Sequence, residues 1–103
     1  MLRTGPLRLA DNYLYLGDDP APIKLAPMEA RLLAVLMQSC GQVVSRARLM
    51  RQVWQTDYLG DTRTLDVHIC WLRRKVEEDP AHPRLILTRY GVGYELNLPA
   101  ATG

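Results

Sequence analysis

The sequence predicts an α+β domain with an N-terminal antiparallel sheet, three helices and a C-terminal β-hairpin. Three observations support this. Apolar and polar residues alternate at strand spacing in residues 7–25. Residues 27–78 hold three segments with apolar residues at helical spacing. Residues 85–96 read as two short strands separated by a glycine-rich turn. The length of 103 residues fits one domain, and the hydrophobic content of 48% is enough for one modest core.

Turn signals divide the N-terminal region into strands. Leu7 and Leu9 alternate with polar neighbours, residues 13–16 are rich in strand formers, and a third strand follows around residues 23–25. We expect residues 1–6 to be a linker, 7–98 to be the domain and 99–103 to be a disordered tail.

The first two helices have recognisable ends and buried faces. Pro27 suits the first position of a helix, and Gly41 suits the residue after its end. Ser45 is a good N-cap for the second helix. The residues expected on the two buried faces are Leu32, Leu33, Leu36 and Met37 in the first helix, and Leu49, Met50, Val53 and Trp54 in the second.

The third helix, predicted from about Thr62 to Glu78, has two chemically different faces. Its apolar stripe, spaced 4-3-4, is predicted to face the core and consists of Leu65, Ile69, Leu72 and Val76. The opposite face carries Arg63, Val67, Cys70, Trp71 and Arg74, flanked by Thr64, His68 and Arg73. Arginines, hydrogen-bonding groups and a branched methyl on one helix face suit the major groove of DNA.

The charge is concentrated in the middle of the chain. Residues 46–75 carry seven basic and three acidic side chains, a net charge of +4, whereas residues 1–45 are neutral and residues 76–103 carry −2. A local basic segment is typical of a nucleic-acid-binding surface, although a solvated helix face would also produce it. A helix–loop–helix–hairpin order with this charge predicts a winged-helix DNA-binding domain, with a protein-interaction module as the alternative.

Other functional classes find little support in the sequence. Cys40 and Cys70 lie thirty residues apart, which is not metal-site spacing, and His68 and His82 do not complete a ligand set. We therefore expect reduced thiols, no metal and no cofactor. The sequence has no phosphate loop, nucleophile motif, signal peptide or membrane-length apolar run. We expect a cytoplasmic protein that is not an enzyme.

Several spaced motifs resemble the OmpR/PhoB family of response-regulator effector domains, and the resemblance covers about residues 7–98. The motifs lie in residues 25–33, 41–46, 63–69 and 72–80, with Thr88 and residues 91–94 at the hairpin. The resemblance implies a four-stranded N-terminal sheet, a third helix in the major groove and a wing at the adjacent minor groove. It also implies tandem binding to direct repeats, with the free fragment monomeric, and an absent N-terminal receiver domain phosphorylated by a sensor histidine kinase.

The expected DNA-contacting residues combine the outer helix face with the wing. They are Arg63, Thr64, Val67, His68, Cys70, Trp71, Arg73 and Arg74, with Thr88, Arg89 and Tyr90 on the hairpin. For His68, a local hydrogen bond or a phosphate contact is as plausible as base reading. At the wing we expect Tyr90 to contact sugar and phosphate; the alternative is that Arg89 enters the minor groove. Trp71 is better suited to contact a thymine methyl, a sugar or a neighbouring hairpin than to hydrogen-bond a guanine.

The sequence departs from the family pattern at three places. Ala26 replaces a hydroxyl residue at the first N-cap, a change that costs about 1 kcal/mol. Cys70 and Trp71 stand where many members carry polar or basic residues. Arg89-Tyr90 stands where many carry an apolar residue followed by arginine.

For the remaining charged and loop residues, the sequence allows more than one role. The family uses the loop between the second and third helices to contact RNA polymerase. In this sequence the resemblance assigns that role to Thr56, Asp57, Tyr58, Leu59 and Gly60. The alternative is that Tyr58 and Leu59 pack into the core. Asp66 is expected to pair with a nearby arginine. The arginines of the second helix suit phosphates or a solvated face equally well. For the acidic residues 77–79 we favour solvated charge over pairing with a tandem neighbour.

Overall fold

In a computed structural model, the chain is described from residue 2 to residue 98 and forms two antiparallel sheets and three helices. The bounds of the elements are β1 Leu2–Thr4, β2 Leu7–Ala10, β3 Tyr13–Leu16, β4 Ile23–Lys24, α1 Pro27–Gln38, β5 Val43–Ser45, α2 Arg46–Trp54, α3 Arg63–Val76, β6 Ile86–Arg89 and β7 Gly93–Leu96. The predicted tail, residues 99–103, lies outside the described residues.

The N-terminal sheet has the order β1-β2-β3-β4, so the four-stranded sheet implied by the family resemblance is confirmed. Leu7, Leu9 and Leu14 point to the core and are almost fully buried. The expectation that residues 1–6 form a linker is wrong for Leu2–Thr4, which pair with β2 as a hairpin. Gly5 permits the tight turn because its φ is +56°, a value that other residues rarely adopt.

The three helices bury the predicted apolar faces around one core. Ala26, the N-cap of α1, makes no side-chain capping bond, as expected for alanine. The Oε1 atom of buried Glu29 accepts the Ala26 N–H at 2.7 Å and also the Nζ of Lys75 at 2.5 Å. The first turn of α1 is therefore tied to the last turn of α3.

The predicted C-terminal hairpin is present, and it belongs to a three-stranded sheet of order β5-β7-β6. The segment Val43–Ser45 pairs with β7 as an outer strand of this sheet. Gly93 makes this pairing possible, since a Cβ atom there would overlap the carbonyl of Val44. The sheet places the wing beside the first turns of α2 and α3.

Helix α3 ends at Val76, two residues before the predicted end. Glu77 is only 8% exposed, and its carboxylate accepts the backbone N–H groups of Arg84, Leu85 and Ile86 at 2.7–3.1 Å. The expectation of solvated charge at residues 77–79 is therefore wrong for Glu77, because the chain after α3 folds back over its carboxylate. Glu78 and Asp79 are exposed.

Candidate nucleic-acid interface

The two faces of α3 are oriented as the sequence predicted. The stripe of Leu65, Ile69, Leu72 and Val76 is at most 6% exposed. On the opposite face, Val67 is 41% exposed and Trp71 is 45% exposed. Cys70 and Arg74 are also exposed. This helix is therefore anchored by its apolar stripe and presents a mixed polar and apolar face to solvent.

Arg63, the first residue of α3, is held by an aspartate of the preceding loop. Its Nε and Nη2 atoms donate to Oδ1 and Oδ2 of Asp61 at 3.0 and 2.8 Å, and its backbone N–H donates to Oδ1 at 3.0 Å. The guanidinium first, and the backbone N–H second, lower the pKa of Asp61 to about 2. Asp61 therefore keeps its charge well below neutral pH and forms a two-point ion pair with an arginine that is otherwise exposed.

Arg73 has a structural position that the sequence analysis did not predict. Its guanidinium donates twice to the Ile86 carbonyl, at 3.0 and 2.7 Å, and once to Oγ1 of Thr88, at 2.8 Å. It also lies over the ring of Tyr94, 5.7 Å from the centroid. In this structure both side chains are bonded within the domain, and their contact with DNA stays a prediction. Their side chains tie the helix to the wing.

Arg74, the next residue, behaves differently. Within residues 2–98, its side chain makes no hydrogen bond or ion pair. It is the one arginine of α3 with an uncommitted guanidinium in the described chain, and it lies on the same helix face as Trp71.

His68 takes part in an aromatic cluster between α2 and α3, with the partly buried Trp54 and the exposed Trp71. Its ring lies 5.1 Å from that of Trp54 and 5.0 Å from that of Trp71. Its Nδ1 atom is 2.7 Å from the carbonyl oxygen of Thr64. Because a carbonyl only accepts, Nδ1 must carry the proton, which leaves Nε2 as the acceptor of the neutral ring. The local hydrogen bond, one of the alternatives for His68, is present.

A network centred on Asp66 joins α2, α3 and the wing. Both guanidinium Nη atoms of Arg46 donate to its carboxylate at 2.7 and 3.0 Å, which confirms the expected arginine partner. The hydroxyl of Tyr94 donates to it at 2.6 Å, and Arg46 also reaches the Thr62 hydroxyl. The hydrogen bond from Arg46 holds the pKa of Asp66 below its usual value. Burial, followed by the contact with Asp66, raises the pKa of Tyr94.

The Asp66 network was only partly visible in the sequence. The Arg46 and Tyr94 positions lie 20 and 28 residues from Asp66, so no local spacing indicates that they meet. A shallow pocket of about 300 Å³ lies beside the network, between α3 and the wing tip.

The wing tip carries Arg89 and Tyr90 in different environments. Arg89 donates through Nε to Oε1 of Glu95 at 2.8 Å, on the sheet face opposite Thr88. Tyr90 is 90% exposed. Thr88 and Arg89 therefore lie on opposite faces of the sheet, and Tyr90 is the more accessible of the two tip residues.

The loop between α2 and α3 exposes its apolar residues. Tyr58 is 70% exposed and Leu59 is 51% exposed, so the alternative that they pack inward is wrong. Asp57 in the same loop pairs with Nε of Arg51 at 2.9 Å, and both side chains are largely exposed.

Between residues 2 and 98, no cluster of three or more metal-ligating side chains occurs, and no helix is long and apolar enough to cross a membrane. Cys40 and Cys70 are free thiols, the first partly buried and the second exposed.

This architecture defines a winged-helix domain whose third helix offers a basic, partly apolar face. Residues 20–96 match the family described as "Transcriptional regulatory protein, C terminal". The chain belongs to this family of OmpR/PhoB-type effector domains of response regulators.

Individual relatives agree with this assignment. The sensory transduction protein RegX3 of Mycolicibacterium smegmatis is 44% identical over 96 residues, which are 93% of this chain and 42% of RegX3. The C-terminal domain of the nisin resistance regulator NsrR superposes with a TM-score of 0.76 at 33% identity, covering 96% of this chain and 99% of that domain. The RstA DNA-binding domain of Klebsiella pneumoniae, solved in complex with the RstA box, gives a TM-score of 0.80 at 26% identity, covering 93% and 95%. The chain spans less than half the length of the curated RegX3 proteins it matches.

Proposed function

We propose that this chain binds double-stranded DNA in a sequence-specific manner and regulates transcription as the output domain of a two-component response regulator. The observation that carries this proposal is the outer face of α3, where Arg63, Val67 and Arg74 lie opposite a fully buried stripe. An α-helix with such a face fits the major groove, where arginines hydrogen-bond guanine and apolar groups contact thymine methyls.

The residues of this surface take different roles in the proposal. Arg63 and Arg74 read or clamp DNA from α3, with Thr64, Val67, His68, Cys70 and Trp71 lining the same contact. Arg48 and Arg51 of α2 contact the phosphate backbone, which fixes register without reading sequence, whereas Arg46 is bonded to Asp66 and Thr62. At the wing, Tyr90 contacts sugar and phosphate, since its ring is the more exposed at the tip and Arg89 is engaged by Glu95.

The proposed context is that of the longer relatives. We propose that the full-length protein is cytoplasmic and carries a receiver domain upstream, phosphorylated by a sensor histidine kinase. The chain alone is monomeric and occupies direct-repeat half-sites in tandem. The length of the relatives supports this context, because the chain corresponds to less than half of each RegX3 protein.

Duplex binding is expected to depend steeply on salt. Each phosphate neutralised by a lysine or arginine releases counterions, so log K should fall by about 0.9 per contact for each unit of log salt. We would titrate the chain onto duplexes selected from a random pool, with one or two half-sites, at several salt concentrations. The two-site duplex should bind two monomers. Sedimentation should show a monomer without DNA.

Two outcomes would contradict this proposal. A chain that binds no duplex at low salt would be a protein-interaction module, the alternative left open by the sequence. Affinity that stays flat between low and moderate salt would exclude the electrostatic mechanism.

We propose that the α2–α3 loop contacts RNA polymerase through Tyr58 and Leu59, whose exposure supports a contact with another protein. Replacing both with serine should abolish transcription activation in a reconstituted assay and leave the affinity for DNA unchanged. Equal loss of both activities would show instead that the loop supports the DNA-binding fold.

A further inference from the structure

The pairing of Arg63 with Asp61 leaves a defined set of donors free. A guanidinium has five N–H groups in a rigid plane. Asp61 accepts from Nε and Nη2, which lie along one side of that plane. The end of the fork, formed by one N–H of Nη1 and the second N–H of Nη2, makes no hydrogen bond with residues 2–98. The side chain of Arg63 is 87% exposed, so this end faces solvent.

The two free N–H groups match one kind of base edge. A bidentate arginine contact with O6 and N7 of guanine is the commonest specific contact in the major groove. Arg63 is the first residue of α3, and the N-terminal residues of a recognition helix are those that reach base edges.

Electrostatics favours this base contact over a phosphate contact. Arg63 and Asp61 together carry no net charge, so the pair attracts a phosphate weakly, and the Asp61 carboxylate repels it. The edge of a guanine carries no net charge, and its two acceptors need only the oriented N–H groups. Asp61 is itself fixed, since its Oδ1 atom also accepts the backbone N–H of Arg63.

We propose that Asp61 is a specificity-determining positioning residue, which holds Arg63 so that the free end of its guanidinium reads a guanine in the major groove. This inference rests on the proposed DNA-binding function and adds the base that is read and the residue that enforces the reading.

The chain offers a charge-matched control for this inference. Asp57 forms a second exposed pair in the same loop, with Arg51 at 2.9 Å, and only through one nitrogen of that arginine. Asp57→Asn and Asp61→Asn remove the same charge from the same loop. The Asp61→Asn variant also retains a side-chain oxygen, so the backbone N–H of Arg63 keeps its acceptor at the start of α3.

The test is selection of bound sequences from a random duplex pool by the wild-type chain and by Asp61→Asn, Arg63→Lys and Asp57→Asn. Polymerase is absent, so only DNA binding is measured. The dissociation constant of each variant is then compared on the selected duplex and on one with the guanine pair replaced by A·T. For the wild type we expect a preference of about 5- to 150-fold for guanine at one position of each half-site.

Asp61→Asn and Arg63→Lys should both lose most of this preference, because lysine keeps the charge but not the fork. Asp57→Asn should keep the preference and bind every duplex somewhat more tightly. Thermal unfolding of each variant checks that the fold is retained.

Three results would overturn the inference. If Asp61→Asn and Arg63→Lys both keep the guanine preference and Asp61→Asn only binds all duplexes more tightly, Arg63 contacts a phosphate. If Arg63→Lys loses the preference but Asp61→Asn does not, Arg63 reads guanine without help from Asp61. If no guanine depends on either residue, the pair reads no base. A wild-type chain that binds no duplex would instead refute the proposed function itself.

Discussion

Replacing Glu77 with alanine is expected to lower the free energy of unfolding by about 3 kcal/mol or more. The carboxylate accepts three backbone N–H groups, from Arg84, Leu85 and Ile86, and it is only 8% exposed. Alanine would leave these donors without partners in a segment that the protein folds over the end of α3. An unsatisfied buried donor costs about 1–3 kcal/mol, and water can rehydrate only the outer part of this segment.

Chemical denaturation followed by circular dichroism would measure the change. Glu78→Ala is the matched control, because Glu78 is adjacent in the chain but exposed, and its loss should change stability by less than about 0.5 kcal/mol. The free energy of unfolding of Glu77→Gln should lie between those of the two alanine variants, since its amide oxygen still accepts a hydrogen bond while its amide NH₂ faces other donors. Similar stability of the Glu77→Ala and Glu78→Ala variants would mean that the carboxylate does not hold the segment.

Glu77 also shows why part of the structure could not be predicted from the sequence. Three consecutive acidic residues at the end of a helix are typical of solvated charge, and the donors that bury Glu77 lie seven to nine residues further on. The strand Leu2–Thr4 was missed for a related reason. It has three residues and one large apolar side chain, so only its pairing with β2 defines it.

The core and the facing of α3 were predictable because they depend on local periodicity. Leu65, Ile69 and Leu72 repeat at helical spacing, and a helix can bury such a stripe in only one way. Arg73 lies at the edge between the two faces, where periodicity does not decide its direction. Its partner Ile86 is 13 residues away, on a strand whose position depends on the whole sheet.

The pairing of Arg63 with Asp61 has a local signal in the sequence. An aspartate side chain often accepts the backbone N–H of the residue two positions further on, as in an Asx turn. The same carboxylate is then within reach of an arginine at that position. The contribution of Asp61 to the site could thus have been predicted, whereas the Asp66 network needed the three-dimensional structure.

The consecutive residues Leu72, Arg73 and Arg74 are expected to give three different phenotypes when each is replaced by alanine. Leu72 is fully buried, so Leu72→Ala should cost roughly 2–5 kcal/mol of folding stability. Arg73→Ala removes three hydrogen bonds to the wing and should cost about 1–3 kcal/mol. Arg74→Ala should change stability by less than about 0.5 kcal/mol and weaken binding to the selected duplex by about 5- to 150-fold.

Denaturation curves and dissociation constants for the three variants separate these effects, provided that binding is measured where each variant is folded. Arg73→Ala is the most informative, because a charge on the binding surface and a support of the wing predict different results. If Arg73 supports the wing, its replacement lowers the stability of the domain and changes the salt dependence of DNA binding little. The Arg73→Ala variant could instead keep full stability while the slope of log K against log salt becomes shallower by about 0.9, the value for one phosphate contact. That result would mean that Arg73 leaves the wing to bind DNA. If Arg74→Ala unfolds the domain while Leu72→Ala does not, the assignment of the two faces of α3 is inverted.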